Sequence, residues 1–194
     1  MVLPRNGNDR GGCPQVHTGS SRCCGFVGHA TATAAALDYA HAMGVHHLAL
    51  EPARMVVDDA GRLRLTGFGE SAITRWMYDV MPELILLQVS CYWAPEQFTT
   101  RRCDAMADQF SLAAIAFHML TGQSPFHPAD NVSDFYRRFE GKCPAAHELN
   151  PEVPPAVFVT LRRGLASQPG DRFQSCGELV SALEIALRRN VGDR

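Results

Sequence analysis

Apolar positions along this chain come in stretches of different rhythm. Residues 31–43 are rich in alanine, contain no breaker and are followed by Gly44, a combination that predicts a helix closed by a glycine stop. Met55, Val56 and Val57 form a short apolar run, and Leu63 and Leu65 alternate with polar residues on the far side of Asp58-Asp59-Ala60-Gly61. Two short strands joined by a tight turn are expected there. Residues 110–120 are apolar nearly all round and end at Gly122 and Pro125, as a helix buried on every side should. Aromatics alternate with charge over 131–139, predicting a surface helix that carries Phe135, Tyr136 and Phe139. Pro155 stands at the first position of a further helix, 155–166. Ser175 and Glu178 have capping-box spacing, and Leu179, Leu183 and Leu187 then share one face of a last helix. The stretch 70–89 reads as a loop, yet Leu84-Ile85-Leu86-Leu87 within it must pack down or meet a partner. No repeat and no coiled coil is evident. The sum is a mainly α fold with one small β-hairpin.

Composition narrows this further. With 194 residues and 46% apolar side chains, one domain with a substantial core is expected and a second is not. The net charge of −2 comes from interspersed signs, and the absence of any basic run argues against nucleic-acid or membrane-surface binding. No stretch is apolar enough to cross a bilayer, and Met1-Val2-Leu3-Pro4-Arg5 is no secretory signal, so a cytoplasmic protein is expected. The seven cysteines then read as reduced thiols for the most part. Cys13, His17, Cys23, Cys24 and His29 could be imagined around zinc, but their spacing fits no usual pattern, and residues 1–30 read instead as a flexible lead-in. His41 reads as a packed helix residue, and His46 and His47, a pair without a carboxylate or third ligand nearby in sequence, are weak evidence for a metal.

Several segments carry a resemblance. His47-Leu48-Ala49-Leu50-Glu51-Pro52-Ala53-Arg54 resembles the catalytic loop of protein kinases, H-R-D-L-K-P-x-N, and Gly67-Phe68-Gly69 falls where that family has D-F-G. Ala94-Pro95-Glu96 resembles the A-P-E segment. Asp108-Gln109-Phe110-Ser111-Leu112 resembles the start of the central helix, and Pro169-Gly170-Asp171-Arg172 the late P-x-x-R. Residues 163–175 are most similar to bacterial Ser/Thr kinases. The resemblance implies a protein kinase-like C-terminal lobe over 31–188, with 189–194 as a tail. It also implies that His47 and Phe68 stack within the core, that Asp108 binds the catalytic-loop backbone, and that Glu96 and Arg172 form a buried ion pair. Residues 1–30 contain no Gly-rich loop, no V-A-I-K-like strand and no lysine, so the small N-terminal lobe is expected to be absent.

The same mapping tests the chemistry. Phosphoryl transfer needs a carboxylate to orient the attacking hydroxyl and oxygen ligands for Mg²⁺. The carboxylate position is Ala49, the lysine position Glu51, the metal-binding asparagine position Arg54 and the metal-binding aspartate position Gly67. No catalytic, cofactor-binding or metal-binding residue is therefore expected. The resemblance then implies a pseudokinase, acting as a protein-interaction or regulatory module toward a protein partner through 84–87 and the helix near Phe135 to Phe139. The alternative is a Ser/Thr kinase fragment with residual or partner-complemented phosphotransfer, and only then would ATP and Mg²⁺ be cofactors. Asp58 and Asp59, the nearby carboxylates, should point away from the cleft. Residues 70–89 take the place of the activation segment, with Gln88-Val89 where Gly-Thr is usual. Ser71, Thr74 and Ser90 are hydroxyls that could accept phosphate or simply be exposed.

Overall fold

A stripe of Val27, Ala30, Ala34 and Leu37 begins the folded unit: Ala30, Ala34 and Leu37 are buried and Val27 packs against them. These positions recur every three or four residues, and they extend helix α1 over Arg22–Ala42. The computed structural model describes residues 22–69, 90–99, 103–126 and 137–188, with 22–26 described by backbone alone. The lead-in expected over 1–30 is thus corrected for 22–30, which is helical. A glycine such as Gly28 inside a helix costs about 1 kcal/mol against alanine, and burial of the stripe outweighs it. Cys13 and His17 lie outside the described residues. At the other end Gly44, with φ 72°, closes α1: Gly44 N donates to His41 O and Val45 N to Ala40 O, both at 2.9 Å, the paired bonds of a Schellman stop.

A 3-10 turn at Pro52–Arg54 leads into strands β1 (Met55–Val57) and β2 (Leu63–Leu65), which pair antiparallel with Met55 opposite Leu65 and Val57 opposite Leu63. The Asp58 carboxylate ties the turn by accepting from Ala60 N at 3.0 Å and Arg62 N at 2.9 Å, and Gly61 supplies φ 74°. β2 lies against α1. Helix α2 (Glu96–Thr99) is short. Helix α3 (Ala105–Thr121) starts five residues before the apolar run suggests, because Asp104 caps it by accepting from Met106 N at 2.8 Å. Helices α4 (Ala146–Leu149), α5 (Pro155–Gly164) and α6 (Cys176–Arg188) follow, with a 3-10 turn at Pro169–Asp171 before α6. Ser175 Oγ accepts from Glu178 N, while the Glu178 carboxylate accepts from Gln174 N and not from Ser175 itself.

Helix α3 is central, with buried side chains over 107–118 and again at Leu120 and Thr121. Helices α1, α4, α5 and α6 pack on it, and α1 also packs along α6. The mainly α architecture with one hairpin is as the apolar pattern indicated. Among the described residues no helix is long and apolar enough to cross a membrane. Cys103, Cys143 and Cys176 are free, whereas Cys91 is disulfide-bonded. Residues 70–89, with Ser71, Thr74 and the 84–87 run, lie outside the described residues. So do Phe135 and Tyr136 and the tail 189–194; of the helix expected at 131–139, residues 137–139 are described and helical.

Candidate functional site

The loop from His47 to Arg54 is held from below by α3. Asp108 has no solvent exposure, and its carboxylate accepts from His47 N at 2.8 Å, Leu48 N at 2.6 Å and His41 Nε2 at 2.8 Å. From above, Gln97 donates to Leu48 O at 2.7 Å while accepting from Ala94 N. Leu48 is thereby kept at φ 55°, a left-handed conformation costing a branched residue roughly 1–3 kcal/mol that persists where the surroundings impose it. His47 is fully buried. Its Nδ1 accepts from Ala49 N at 3.3 Å and its Nε2 donates to Thr66 O at 3.0 Å, so the loop fixes one neutral tautomer and ties itself to the segment before Gly67. The Phe68 ring meets His47 at a tilt of 52° with centroids 4.5 Å apart, but it is 38% exposed. The pair sits at the edge of the core, and the expectation that Phe68 lies within it is corrected.

Thr66 N and Thr66 Oγ1 both donate to Arg54 O, at 3.0 and 3.4 Å, which brings the end of the loop against Gly67. Gly67 has φ 89°. A β-carbon there would stand 3.1 Å from Arg54 Cδ and 3.3 Å from its Nε and Nη1, so the Arg54 side chain lies over the glycine. Arg54 Nε is 3.4 Å from Glu51 Oε1. Between His47 and Arg54 and from Thr66 to Gly69 the sequence offers one carboxylate, Glu51, and it faces this guanidinium. Ala49 contributes a methyl group. Asp58 belongs to the hairpin: besides the two turn amides it accepts from Arg62 Nε and Arg64 Nε at 3.0 and 3.1 Å. The Arg62 amide, aided by both guanidiniums, holds its carboxyl below the usual range.

The A-P-E segment is anchored by two buried arginines. Arg172 meets Glu96 through two bonds, Nη1 to Oε1 at 2.6 Å and Nη2 to Oε2 at 2.8 Å, a fork-on-fork geometry. It also donates to Ala166 O and Met106 O. Arg138 donates to Ser90 O and Trp93 O at 3.0 and 2.9 Å and lies over the rings of Phe98 and Phe126. Gln97 and Arg138 escape a sequence reading: Gln97 merely follows the A-P-E triplet, and Arg138 sits in a segment read for its aromatics. Ser90 is half-buried, with its hydroxyl accepting from Tyr92 N.

One group of side chains has the composition of a metal site: Asp38, His41 and Cys176 present ligand atoms within 4.8 Å of one another. Their atoms already have partners. Asp38 accepts from Cys176 N and Gly177 N at 2.9 and 2.8 Å, capping α6, and His41 is turned to Asp108. Burial, reinforced by Asp38 and Asp108, pushes the Cys176 thiol well up, which disfavours the thiolate that zinc requires. The cluster reads as the joint between α1, α3 and α6.

A family model described as the protein kinase domain matches residues 26–180. The serine/threonine-protein kinase PknF of Mycobacterium tuberculosis is 35% identical over 160 residues, spanning 79% of this chain and 33% of that protein. The DNA damage-responsive serine/threonine-protein kinase RqkA of Deinococcus radiodurans is 30% identical, over 84% of this chain and 24% of its own length. The crystal structure of the Mycobacterium tuberculosis PknI kinase domain superposes with a TM-score of 0.63 at 28% identity, covering 84% of this chain and 55% of that one. The chain thus spans a third or less of these two curated relatives and about half of the solved domain.

Proposed function

This chain belongs to the protein kinase family, and from that premise we propose that it is a catalytically inactive member, the C-terminal lobe of a kinase used as a protein-interaction or regulatory module. The observation that carries this reading is the contrast between scaffold and chemistry at one loop. The groups that shape the loop are present: Asp108 beneath it, His47 within it, Gln97 above it and the Glu96–Arg172 pair beside it. The groups that would steer a hydroxyl or hold Mg²⁺ are replaced by Ala49, Arg54 and Gly67, none of which offers a side-chain acceptor. Loss of a positioned base alone costs about two to four orders of magnitude in rate, and loss of the metal ligands removes the charge neutralisation that phosphoryl transfer depends on. The module therefore works without ATP or Mg²⁺ and acts by binding a protein partner.

Two measurements on the purified chain decide. Incubation with radiolabelled ATP and a generic basic protein substrate yields no labelled product above a no-enzyme control. Titration with Mg²⁺-ATP and Mn²⁺-ATP produces no saturable rise in melting temperature, whereas a binding nucleotide stabilises by mass action. A saturable rise together with labelled product establishes the other reading, a kinase fragment with residual or partner-complemented phosphotransfer.

A further inference from the structure

We infer that Arg54 is a resident cation lying over Gly67, its guanidinium filling the hollow that an ion held from position 67 would need, with Glu51 facing it. The inference rests on the inactive reading of the site and goes further: the changes at 51, 54 and 67 form one electrostatic unit and are not three separate losses. Three observations support it. The Arg54 side chain lies within 3.1–3.3 Å of where a β-carbon on Gly67 would be. Its backbone is locked to the same segment, since Arg54 O receives both donors of Thr66. Glu51 faces it, Nε to Oε1 at 3.4 Å, at a position where the family pattern has lysine.

The physical consequence is directional. Arginine keeps its proton at every accessible pH, so a divalent ion approaching this hollow meets a fixed positive charge in place of a ligand. A carboxylate introduced at position 67 meets the guanidinium first and is taken up as an ion pair. Restoring the acid alone therefore does not create a metal site. Removing Arg54 is the step that opens the hollow.

The test compares Gly67→Asp with Gly67→Asn, which share the backbone strain at φ 89° and nearly the same volume, so their difference in melting temperature reads charge. In the natural background Gly67→Asp melts about 3 °C or more above Gly67→Asn, a shift corresponding to one partly buried charged contact in a domain of this size. Beside Arg54→Asn the order vanishes or inverts, because Glu51 then faces the new carboxylate unopposed. Millimolar Mn²⁺ raises the melting temperature of the Arg54→Asn/Gly67→Asp chain and leaves that of Gly67→Asp unchanged. An Asp-over-Asn preference that is the same in both backgrounds overturns the inference, as does an equal Mn²⁺ response with and without Arg54. A second pair avoids the glycine altogether. Glu51→Lys lowers the melting temperature in the natural chain and does so far less beside Arg54→Asn; equal effects in the two overturn the inference even if the Gly67 variants fail to fold. Saturable stabilisation of the natural chain by Mg²⁺-ATP would instead sink the inactive reading, so the two failures are distinct.

Discussion

Tyr92 and His118 form a buried pair that couples the A-P-E segment to α3, with Tyr92 Oη 2.6 Å from His118 Nδ1. Burial pushes the phenol up, reinforced by the charge of Glu51, and pushes the imidazole down. The phenol therefore donates and the neutral imidazole accepts. A base whose folded pKa lies below its unfolded value binds fewer protons in the native state. Its stabilisation is complete above the unfolded pKa, about 6.5, and is lost as pH falls from there toward the folded value. Stability should thus decline below about pH 6.5 with a contribution from His118 of up to roughly 1.4 kcal/mol per pH unit. His118→Gln keeps a polar group near Tyr92 and does not titrate, so its urea-unfolding free energy should fall less steeply over that range; an unchanged slope would assign the effect elsewhere. Nothing in the sequence marks this pair, because Tyr92 and His118 are 26 residues apart and meet only when α3 is placed. Asp108, by contrast, stands in a recognisable string, and the bonds it makes to the backbone of His47 and Leu48 are those the resemblance implies.

At the scale of elements, α5 approaches α3 and α6 closely at Gly164. A β-carbon on Gly164 would be 2.8 Å from Ala113 Cβ and 3.1 Å from Leu179 Cδ1. The Ala113 carbon belongs to a central helix packed on all sides, so relief requires moving a backbone. Gly164→Ala should destabilise by about 1–3 kcal/mol, in the range of overpacked cores, despite the gain in helix propensity of roughly 1 kcal/mol. Adding Ala113→Gly should recover part of the loss, and chemical denaturation of the two single variants and the double variant measures the coupling. Element identity was largely legible, because the hairpin carries Asp58 and Gly61 between apolar runs, α1 and α3 are followed by Gly44 and Gly122, and α5 opens on Pro155. Boundaries were less so. The Gly/Ser-rich composition before Thr31 hides the start of α1, and only the contact of Val27 and Ala30 with the core reveals it. The interactions within the hollow were legible as residue types alone: Gly67 and Arg54 could be read as losses, whereas their contact required the fold.

Over the whole molecule, the first and last described helices are one structural unit. Asp38 on α1 caps α6 by accepting from Cys176 N and Gly177 N, across 138 and 139 residues of sequence. His41, one turn further along α1, bonds the Asp108 carboxylate that holds His47 and Leu48. The start of α6 is therefore connected to the loop through Asp38, His41 and Asp108. α6 also buries Leu179, Val180 and Leu183, and at about 1.5–3 kcal/mol for each large apolar side chain this helix supplies on the order of 6 kcal/mol. That is comparable to the entire stability of an ordinary domain, about 5–15 kcal/mol. A chain ending at Gln174 should accordingly lose its cooperative thermal transition in circular dichroism and not merely melt earlier. The graded control is on the same helix: Leu183→Ala should lower stability by about 2–5 kcal/mol, whereas Ile185→Ala, at a position 54% exposed, should stay within about 0.5 kcal/mol. If the shortened chain melted cooperatively near the natural temperature, α6 would be an accessory to the core, and the route from the end of the domain to the loop would have to run elsewhere.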